Sequence, residues 1–258
     1  MSLTWGDYLL WASGSVLLLV VCALALRRRL YLRLPLFTAY LFLVLLREPG
    51  VWWAYHGPGY ASRIAFFYYW LTQAVLLAAR AAATAEIAWR VLRDYRGVWA
   101  LAWRLSSLVT MVLLVIAARD SYRNTYWIFA FILAAERGFE LTAAVTLIAL
   151  LTLTSYYRIR LEPAQRMVAL GLCFYSAVQV LNNSFRLWLP QYFHLPSTIR
   201  VVSFDVALVI WWLALRKPLP LAGPLPALLR QEVYEEFSPQ VNNQLRELNQ
   251  RLLEILKV

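Results

Sequence analysis

The chain has 258 residues, of which 62% are apolar and 15% are charged, and its mean hydropathy is +0.57. Soluble globular domains contain about 45–50% apolar and about 25% charged residues, so this composition excludes a water-soluble fold and intrinsic disorder. The net charge of +11 comes almost entirely from arginine. These cations cluster between apolar stretches, which indicates contact with anionic membrane lipids and argues against a nucleic-acid partner. The sequence therefore predicts a multi-pass protein of the cell membrane, which in a bacterium is the inner membrane.

Seven apolar stretches are each long enough for a transmembrane helix, which needs about 20 residues. They cover residues 8–26, 34–54, 62–88, 99–118, 126–155, 165–189 and 197–215. The connections between them are short, so residues 1–217 are predicted to form one all-α, seven-transmembrane-helix bundle. Asp7 precedes the first stretch where a secretory signal would carry a cation, so we expect this stretch to be a span and not a cleaved signal peptide.

Lysine and arginine concentrate on one side of this predicted bundle. They follow the first, third, fifth and seventh spans, whereas the other connections carry fewer cations. Because cytoplasmic loops are enriched in Lys and Arg, the amino terminus is predicted outside and the carboxyl terminus in the cytoplasm.

Polar side chains inside the spans are informative, because an unpaired charge in hydrocarbon costs at least a few kcal/mol. They are Arg47, Glu48, Gln73, Glu136, Arg137, Glu140, Gln179, Asn182, Asn183, Arg186, Arg200 and Asp205. The helical rise places all of them in the outer half or near the midplane, and the four arginines balance the four carboxylates. We expect them to converge as one network beside a cavity that opens outward and binds a small molecule or lipid. The alternative is an ion-pair network that only fixes helix packing.

The inner half of the third span carries a second charged group. Arg80 lies among alanines, which favours close approach of a neighbouring helix. Its guanidinium either binds a carboxylate or carbonyls there or snorkels toward the interface, and of the two we expect snorkelling. Glu86 and Arg90 are four residues apart at the inner end, so we interpret them as a structural pair.

Enzyme and cofactor motifs are missing from the sequence. No lysine occurs within a span to bind retinal, and the two histidines, His56 and His194, fall in outer loops, which argues against haem. There is no nucleophile elbow, zinc-hydrolase motif or phosphate-binding loop. The two cysteines, Cys22 and Cys173, show no metal-ligand spacing. We therefore predict neither an enzyme nor a bound cofactor or metal.

Residues 218–258 are predicted to form a cytoplasmic tail. A stiff proline-rich linker leads to a short helix over residues 227–237 that ends near Ser238-Pro239. From residue 240 onward, apolar residues recur at alternating spacings of four and three, which predicts an amphipathic helix. Its polar face has little net charge. This favours packing on the protein's own cytoplasmic face, on another subunit of a homo-oligomer or on a signalling partner, over a helix lying on lipid.

Short motifs resemble a set of bacterial seven-helix integral membrane proteins. They are Glu136-Arg137 in the fifth span, Tyr156-Tyr157-Arg158 at its inner end, and the tail rich in Asn, Gln and Leu. The resemblance covers most of the chain and implies its fold and topology, but no activity.

From these features we expect a receptor-like or sensor-like membrane protein whose ligand is not identified by the sequence. A small-solute or proton-coupled transporter is the first alternative. It follows from similar turn residues in residues 56–58 and 194–196, which hint at two repeats of three spans joined by a seventh. Shared loop chemistry explains the same similarity without duplication. The second alternative is an accessory subunit of a larger membrane complex.

Overall fold

The computed structural model describes residues 5–59, 62–92, 96–122, 127–156, 161–188, 194–216 and 231–255. These residues form nine α-helices and one π-helical turn, and the all-α prediction is confirmed. The helices are α1 (Trp5–Arg27), α2 (Leu30–Arg33), α3 (Pro35–Ala54), α4 (Arg63–Leu92), α5 (Arg96–Ser121), α6 (Trp127–Tyr156), α7 (Pro163–Trp188), α8 (His194–Arg216) and α9 (Gln231–Ile255), with the π turn at Tyr55–Gly59. Each of the seven predicted spans is a helix whose ends are shifted by about one turn.

Within the described residues, five segments are long and apolar enough to cross a membrane. They are Leu9–Arg27, Gly97–Ser121, Ala130–Tyr156, Pro163–Phe185 and Leu195–Arg216. The protein is therefore a multi-pass membrane protein, as predicted. α3 and α4, which carry the charged side chains Arg47, Glu48 and Arg80, are not in this group.

Six of the long helices form a closed ring. In order around the ring, α1 packs on α3, α3 on α4, α4 on α6, α6 on α7, α7 on α8, and α8 returns to α1. α5 lies outside this ring, where it packs mainly on α6. α1 and α3 run antiparallel, because Trp11 contacts Glu48 whereas Cys22, later in α1, contacts Leu41, earlier in α3. α4 and α6 run in the same direction, because Gln73 binds Glu136 whereas Arg80, later in α4, binds Glu140, later in α6.

An aromatic block fills the half of the ring where α4, α6 and α8 end, which is the predicted cytoplasmic half and is called the inner half below. Trp211 of α8 is fully buried and meets the ring of Phe37 edge-on at 5.0 Å and that of Phe204 at 6.2 Å. Its indole N–H donates to the Val168 carbonyl of α7 at 3.3 Å. The indole lies directly over Gly171, where a Cβ atom would overlap it. The absence of a side chain at Gly171 therefore sets how closely α7 approaches α8.

Polar contacts at the inner end hold neighbouring helices together. The Glu86 carboxylate of α4 accepts a hydrogen bond from the Phe37 amide at 3.0 Å, and so satisfies an N–H in the first turn of α3. Arg90 lies 3.5 Å from the same carboxylate, which confirms the predicted pair. Arg33 binds Glu162 at 2.6 Å just before α7 begins.

The tail differs in part from the prediction. The linker around residues 218–230 lies outside the described residues. α9 runs without interruption from residue 231, so Pro239 lies inside one helix where we expected a break. A proline removes a single hydrogen bond, and the helical sequence on both sides continues past it. Asn249 of α9 accepts a hydrogen bond from the Gly97 amide at the start of α5, and Leu245 is buried, so the tail packs on the protein's own inner face.

Candidate functional site

The Glu136 carboxylate is the centre of the polar network. It is buried, and one oxygen accepts hydrogen bonds from Arg200 at 2.5 Å and from Gln73 at 2.9 Å. These three residues come from α6, α8 and α4, and they lie about 9–15 Å from the end where all three helices begin. That end is the predicted outer end. Three of the predicted site residues are therefore joined directly, about one-third of the way into the bundle.

A second ion pair lies deeper in the same helices. Arg80 of α4 binds the Glu140 carboxylate of α6, and both side chains are at most 6% exposed. The guanidinium also lies 4.8 Å from the centre of the Tyr175 ring of α7. The expectation that Arg80 snorkels is therefore wrong. A carboxylate and an aromatic face on neighbouring helices offer it an interior site that the sequence around it does not reveal.

Arg47 and Glu48 of α3 lie beside this network at its outer edge. Arg47 donates through Nε to the Thr72 hydroxyl of α4 at 3.1 Å and stacks on the Tyr69 ring at 5.0 Å. The Glu48 carboxylate accepts a hydrogen bond from the Trp11 indole of α1 at 2.6 Å. The two adjacent side chains therefore bind different helices.

The amide residues of α7 fasten that helix to α8. Gln179 donates to the Ser203 hydroxyl at 3.3 Å, and Asn182 donates to the Pro196 carbonyl at 2.9 Å and toward Gln179 at 3.3 Å. All three predicted amides, Asn183 included, are buried. None of them lines the central cavity described below. Their geometry is that of packing contacts between two helices, close to the site but not part of its surface.

The last three predicted residues, Arg137, Arg186 and Asp205, lie in different surroundings. Arg137 is exposed, because its position is about 100° around α6 from the inward-facing carboxylates, and the structure does not bring it into the network. Arg186 belongs to α7, but its side chain lies outside what the structure describes. Asp205 of α8 faces the cavity and makes no hydrogen bond or ion pair with any described residue.

A cavity of about 160 Å³ lies in the middle of the ring, against the ion pairs. Its charged and amide lining residues are Arg47, Glu48, Gln73, Arg80, Arg200 and Asp205. Aromatic side chains from α1, α3, α7 and α8 complete the wall. Since a water molecule occupies about 30 Å³ in the liquid, the space suits a few waters or one small solute.

The charges around the cavity are arranged in two layers. Glu136 and Glu140 lie behind the wall and face Arg200 and Arg80, which reach its surface. A solute in the cavity would thus meet guanidinium groups that are already neutralised. Preformed, mutually supported polar groups of this kind bind a ligand without first having to be ordered.

Several aromatic residues at the site were not predicted. Tyr40, Tyr69, Tyr175 and Trp11 contact the charged groups or the cavity, but in the sequence they look like ordinary membrane aromatics. A signal was available for Tyr69 and Gln73, which lie one helical turn apart on α4 and therefore share a face. No comparable pattern distinguishes Trp11 or Tyr175.

The described residues contain no group of three or more His, Cys, Asp or Glu side chains placed to hold a metal ion. The His56 Nδ1–H donates a hydrogen bond to the Trp52 carbonyl at 3.0 Å, and the imidazole stacks on the Trp52 ring at 4.7 Å. The His56 imidazole is thus bound by Trp52, which lies four residues earlier in the chain. The His194 side chain lies outside the described part of the chain.

Comparisons with known proteins do not place the chain in a family. No family model, no curated protein and no solved structure matches it. The resemblance to bacterial seven-helix membrane proteins stays a prediction.

Proposed function

We propose that this is a receptor-like, seven-span membrane protein that binds a small polar solute in the central cavity from the outer side. The observation that carries the proposal is the cavity itself, which lies between the two buried ion pairs and the charged residues of α3. Packing alone would be served by polar groups in direct contact. Here charged side chains border an open space, which is what a binding site for a polar molecule requires.

The proposal includes α3 and α4 as membrane spans. Both helices lie within the ring, between α1 and α6. Their most polar side chains, Arg47, Glu48 and Arg80, line the cavity. Charged residues that face a cavity or a partner are compatible with a membrane-crossing helix even when they lower its hydropathy.

The proposed orientation has the amino terminus outside and the carboxyl terminus in the cytoplasm. Among the described residues, Arg27, Arg28, Arg33, Arg90 and Arg216 lie at the ends of helices on one side of the bundle. This is the side on which α9 packs. A cation-rich face is typical of the cytoplasmic side.

The wall below the cavity favours a receptor over a carrier. Phe37, Tyr40, Phe204 and Trp211 pack against one another in the inner half of the ring. A solute entering from the outer side would stop at this aromatic block. A carrier would have to separate these rings in every cycle so that the site could open to the other side.

One observation favours a carrier as the second candidate. α5 lies outside the ring, so three long helices before it and three after it enclose the cavity. This is the arrangement expected of the three-plus-one-plus-three plan. A carrier of this type would use Glu136, Glu140 and Asp205 for proton exchange.

Exposed apolar residues of the tail support binding to another protein. Leu248 and Ile255 of α9 are 46% and 69% exposed although Leu245, on the same helix, is buried. These apolar side chains would be covered in a homo-oligomer, by a cytoplasmic partner or by other subunits of a complex. Co-purification in mild detergent tests this proposed assembly. A second copy or another subunit should co-purify with the protein and should be lost in the double variant Leu248→Ser with Ile255→Ser.

Two-sided cysteine labelling tests the central proposal. Ser15 is one of the residues that line the cavity, so Ser15→Cys is placed in a background in which Cys22 and Cys173 are replaced by alanine. Membrane-impermeant methanethiosulfonates of either charge are applied to intact cells and to inverted vesicles. Tyr122→Cys and Asn243→Cys, both at exposed positions, serve as the outer and inner references.

A receptor closed from below gives reaction at Ser15→Cys from the outer side only. Reaction from both sides supports the carrier instead. If neither reagent reacts at Ser15→Cys from either side while Tyr122→Cys reacts, the proposal of an open binding cavity is wrong. References that react from the wrong sides would overturn the orientation.

A further inference from the structure

We infer that the solute selected by the central cavity is a small cation of the ammonium type with a single positive charge. This inference rests on the proposed binding function and names the class of ligand. It follows from comparing the charged side chains around the cavity that form ion pairs within the protein with those that do not.

Two of the three arginines that reach the cavity are already matched. Arg80 pairs with Glu140 and Arg200 pairs with Glu136, and these carboxylates lie behind the wall. Binding an anion on either guanidinium would compete with a buried ion pair whose disruption is costly. The paired arginines are therefore poor candidates for holding a free anion.

The charges left over are one positive and two negative. Arg47 contacts only Thr72 and the Tyr69 ring among the described residues, and Glu48 and Asp205 face the same cavity. One positive charge against two negative charges gives a net charge of −1. A carboxylate held in a low-dielectric site without a counter-ion is unfavourable, so a bound monocation would complete the balance.

Asp205 is the carboxylate that lacks a partner. Its Oδ1 lies against Gly14 of α1 so closely that a Cβ atom there would come within 2.5 Å of it. Glu48 lines the same cavity and is held in place by the Trp11 indole. Both carboxylates are thus positioned by neighbouring groups that do not neutralise them.

The size and walls of the cavity fit the same class of solute. A volume of about 160 Å³ suits an ammonium group carrying a few carbon atoms. Trp11, Tyr40 and Phe204 also line the cavity, and aromatic rings attract cations. Since two of the three lining arginines are paired within the protein, the two lining carboxylates and the aromatic residues favour an ammonium ion over a carboxylate of the same size.

Charge-selective labelling of Ser15→Cys tests the inference in the full chain. The rates for trimethylammonium-ethyl and sulfonato-ethyl methanethiosulfonate are compared, and their ratio is divided by the ratio at the exposed reference Tyr122→Cys. We expect this normalised ratio to favour the cationic reagent at least about tenfold. Asp205→Asn should abolish the excess, whereas Glu247→Gln on α9, which removes one carboxylate far from the cavity, should leave it intact.

Protection by unlabelled solutes completes the test. Propylammonium should slow the labelling of Ser15→Cys in a saturable manner, while propionate and propionamide at equal concentration should not. Faster reaction of the anionic reagent, a ratio unchanged by Asp205→Asn, or protection by propionate alone would overturn the cation. Those results would still leave an accessible cavity, so they are distinct from a failure of the proposed function, in which neither reagent reacts.

Discussion

The two sides of the bundle are built differently. On the cavity side, 44% of the α7 span is buried and its polar side chains meet partners from other helices. On the other side, only 6% of the α5 span is buried, and a wide groove of about 860 Å³ separates much of α5 from α4. The groove is lined mostly by alanine, serine, threonine and larger apolar residues.

This difference shows where the specificity of the fold resides. In a membrane the lipid tails are as apolar as the helix surfaces, so helices associate through close packing and polar contacts. The cavity side has both, in its ion pairs and in the close approach of α7 to α8 at Gly171. Among the described residues, α5 packs on α6 but makes no side-chain hydrogen bond or ion pair with a helix of the ring, so we expect the stability of the protein to depend mainly on the other six spans.

The largest expected effect comes from breaking the deep ion pair. Glu140→Gln leaves the buried Arg80 guanidinium without a counter-charge, and we expect the free energy of unfolding to fall by about 3–5 kcal/mol. Thermal or denaturant unfolding in detergent measures the change. The double variant Arg80→Met with Glu140→Leu should recover most of the loss, because it removes both charges together.

An unchanged midpoint for Glu140→Gln would mean that Arg80 reaches water or another carboxylate. Close packing of the helices, and not the ion pair, would then stabilise the cavity side. The comparison of the two sides would then rest on Gly171 and not on the ion pairs.

A pair of glycine variants compares the two sides directly. Gly171→Ala places a methyl group into the buried Trp211 indole, and we expect a loss of about 1–3 kcal/mol. Gly138→Ala on α6 meets only the Leu113 side chain of α5, at 3.1 Å. A small shift of α5 relieves that contact, and the higher helix propensity of alanine contributes up to about 1 kcal/mol, so this variant should be neutral or slightly stabilising.

The unfolding midpoints of the two variants, measured under the same condition, show whether α5 is packed less firmly than α8. Equal destabilisation by both variants would show that α5 is packed as firmly as α8. The groove between α4 and α5 would then be a rigid feature of the fold.

The sequence predicted the helices well, for a simple physical reason. A span must keep about 20 apolar residues together, and the charged and proline-containing breaks between spans leave little choice of boundary. The same reasoning located Glu136, Arg200, Gln73 and Asp205, because polar groups in apolar helices turn toward one another or toward a cavity. Their order around the ring was not predictable, since it depends on contacts between helices distant in sequence.

The errors have physical causes as well. Arg137 differs from Glu136 by one position, and that single step of about 100° carries it to the exposed face of α6. Arg80 was expected to snorkel because its neighbours in sequence are alanines, whereas its partners Glu140 and Tyr175 come from other helices. The expected break at Pro239 overestimated the cost of one missing hydrogen bond.

The smallest expected effect concerns the junction of α9 with α5. The Asn249 side chain accepts a hydrogen bond from the Gly97 amide, which lies in the first turn of α5 and has no partner within its own helix. Asn249→Ala should weaken this docking by about 1 kcal/mol, as the loss of a helix cap does, with little change in the unfolding midpoint of the bundle. Protease cleavage within α9 should become faster, and the exposed variant Asn243→Ala is the control.

The same variant sharpens the comparison between the two sides. If α9 reports on the cavity, loosening it should alter the labelling rate of Ser15→Cys, because coupling between two sites acts in both directions. An unaltered rate, together with faster cleavage of α9, would show that the tail moves independently of the binding site. The exposed apolar residues of α9 would then serve assembly, and the receptor-like proposal would need another element to carry the signal.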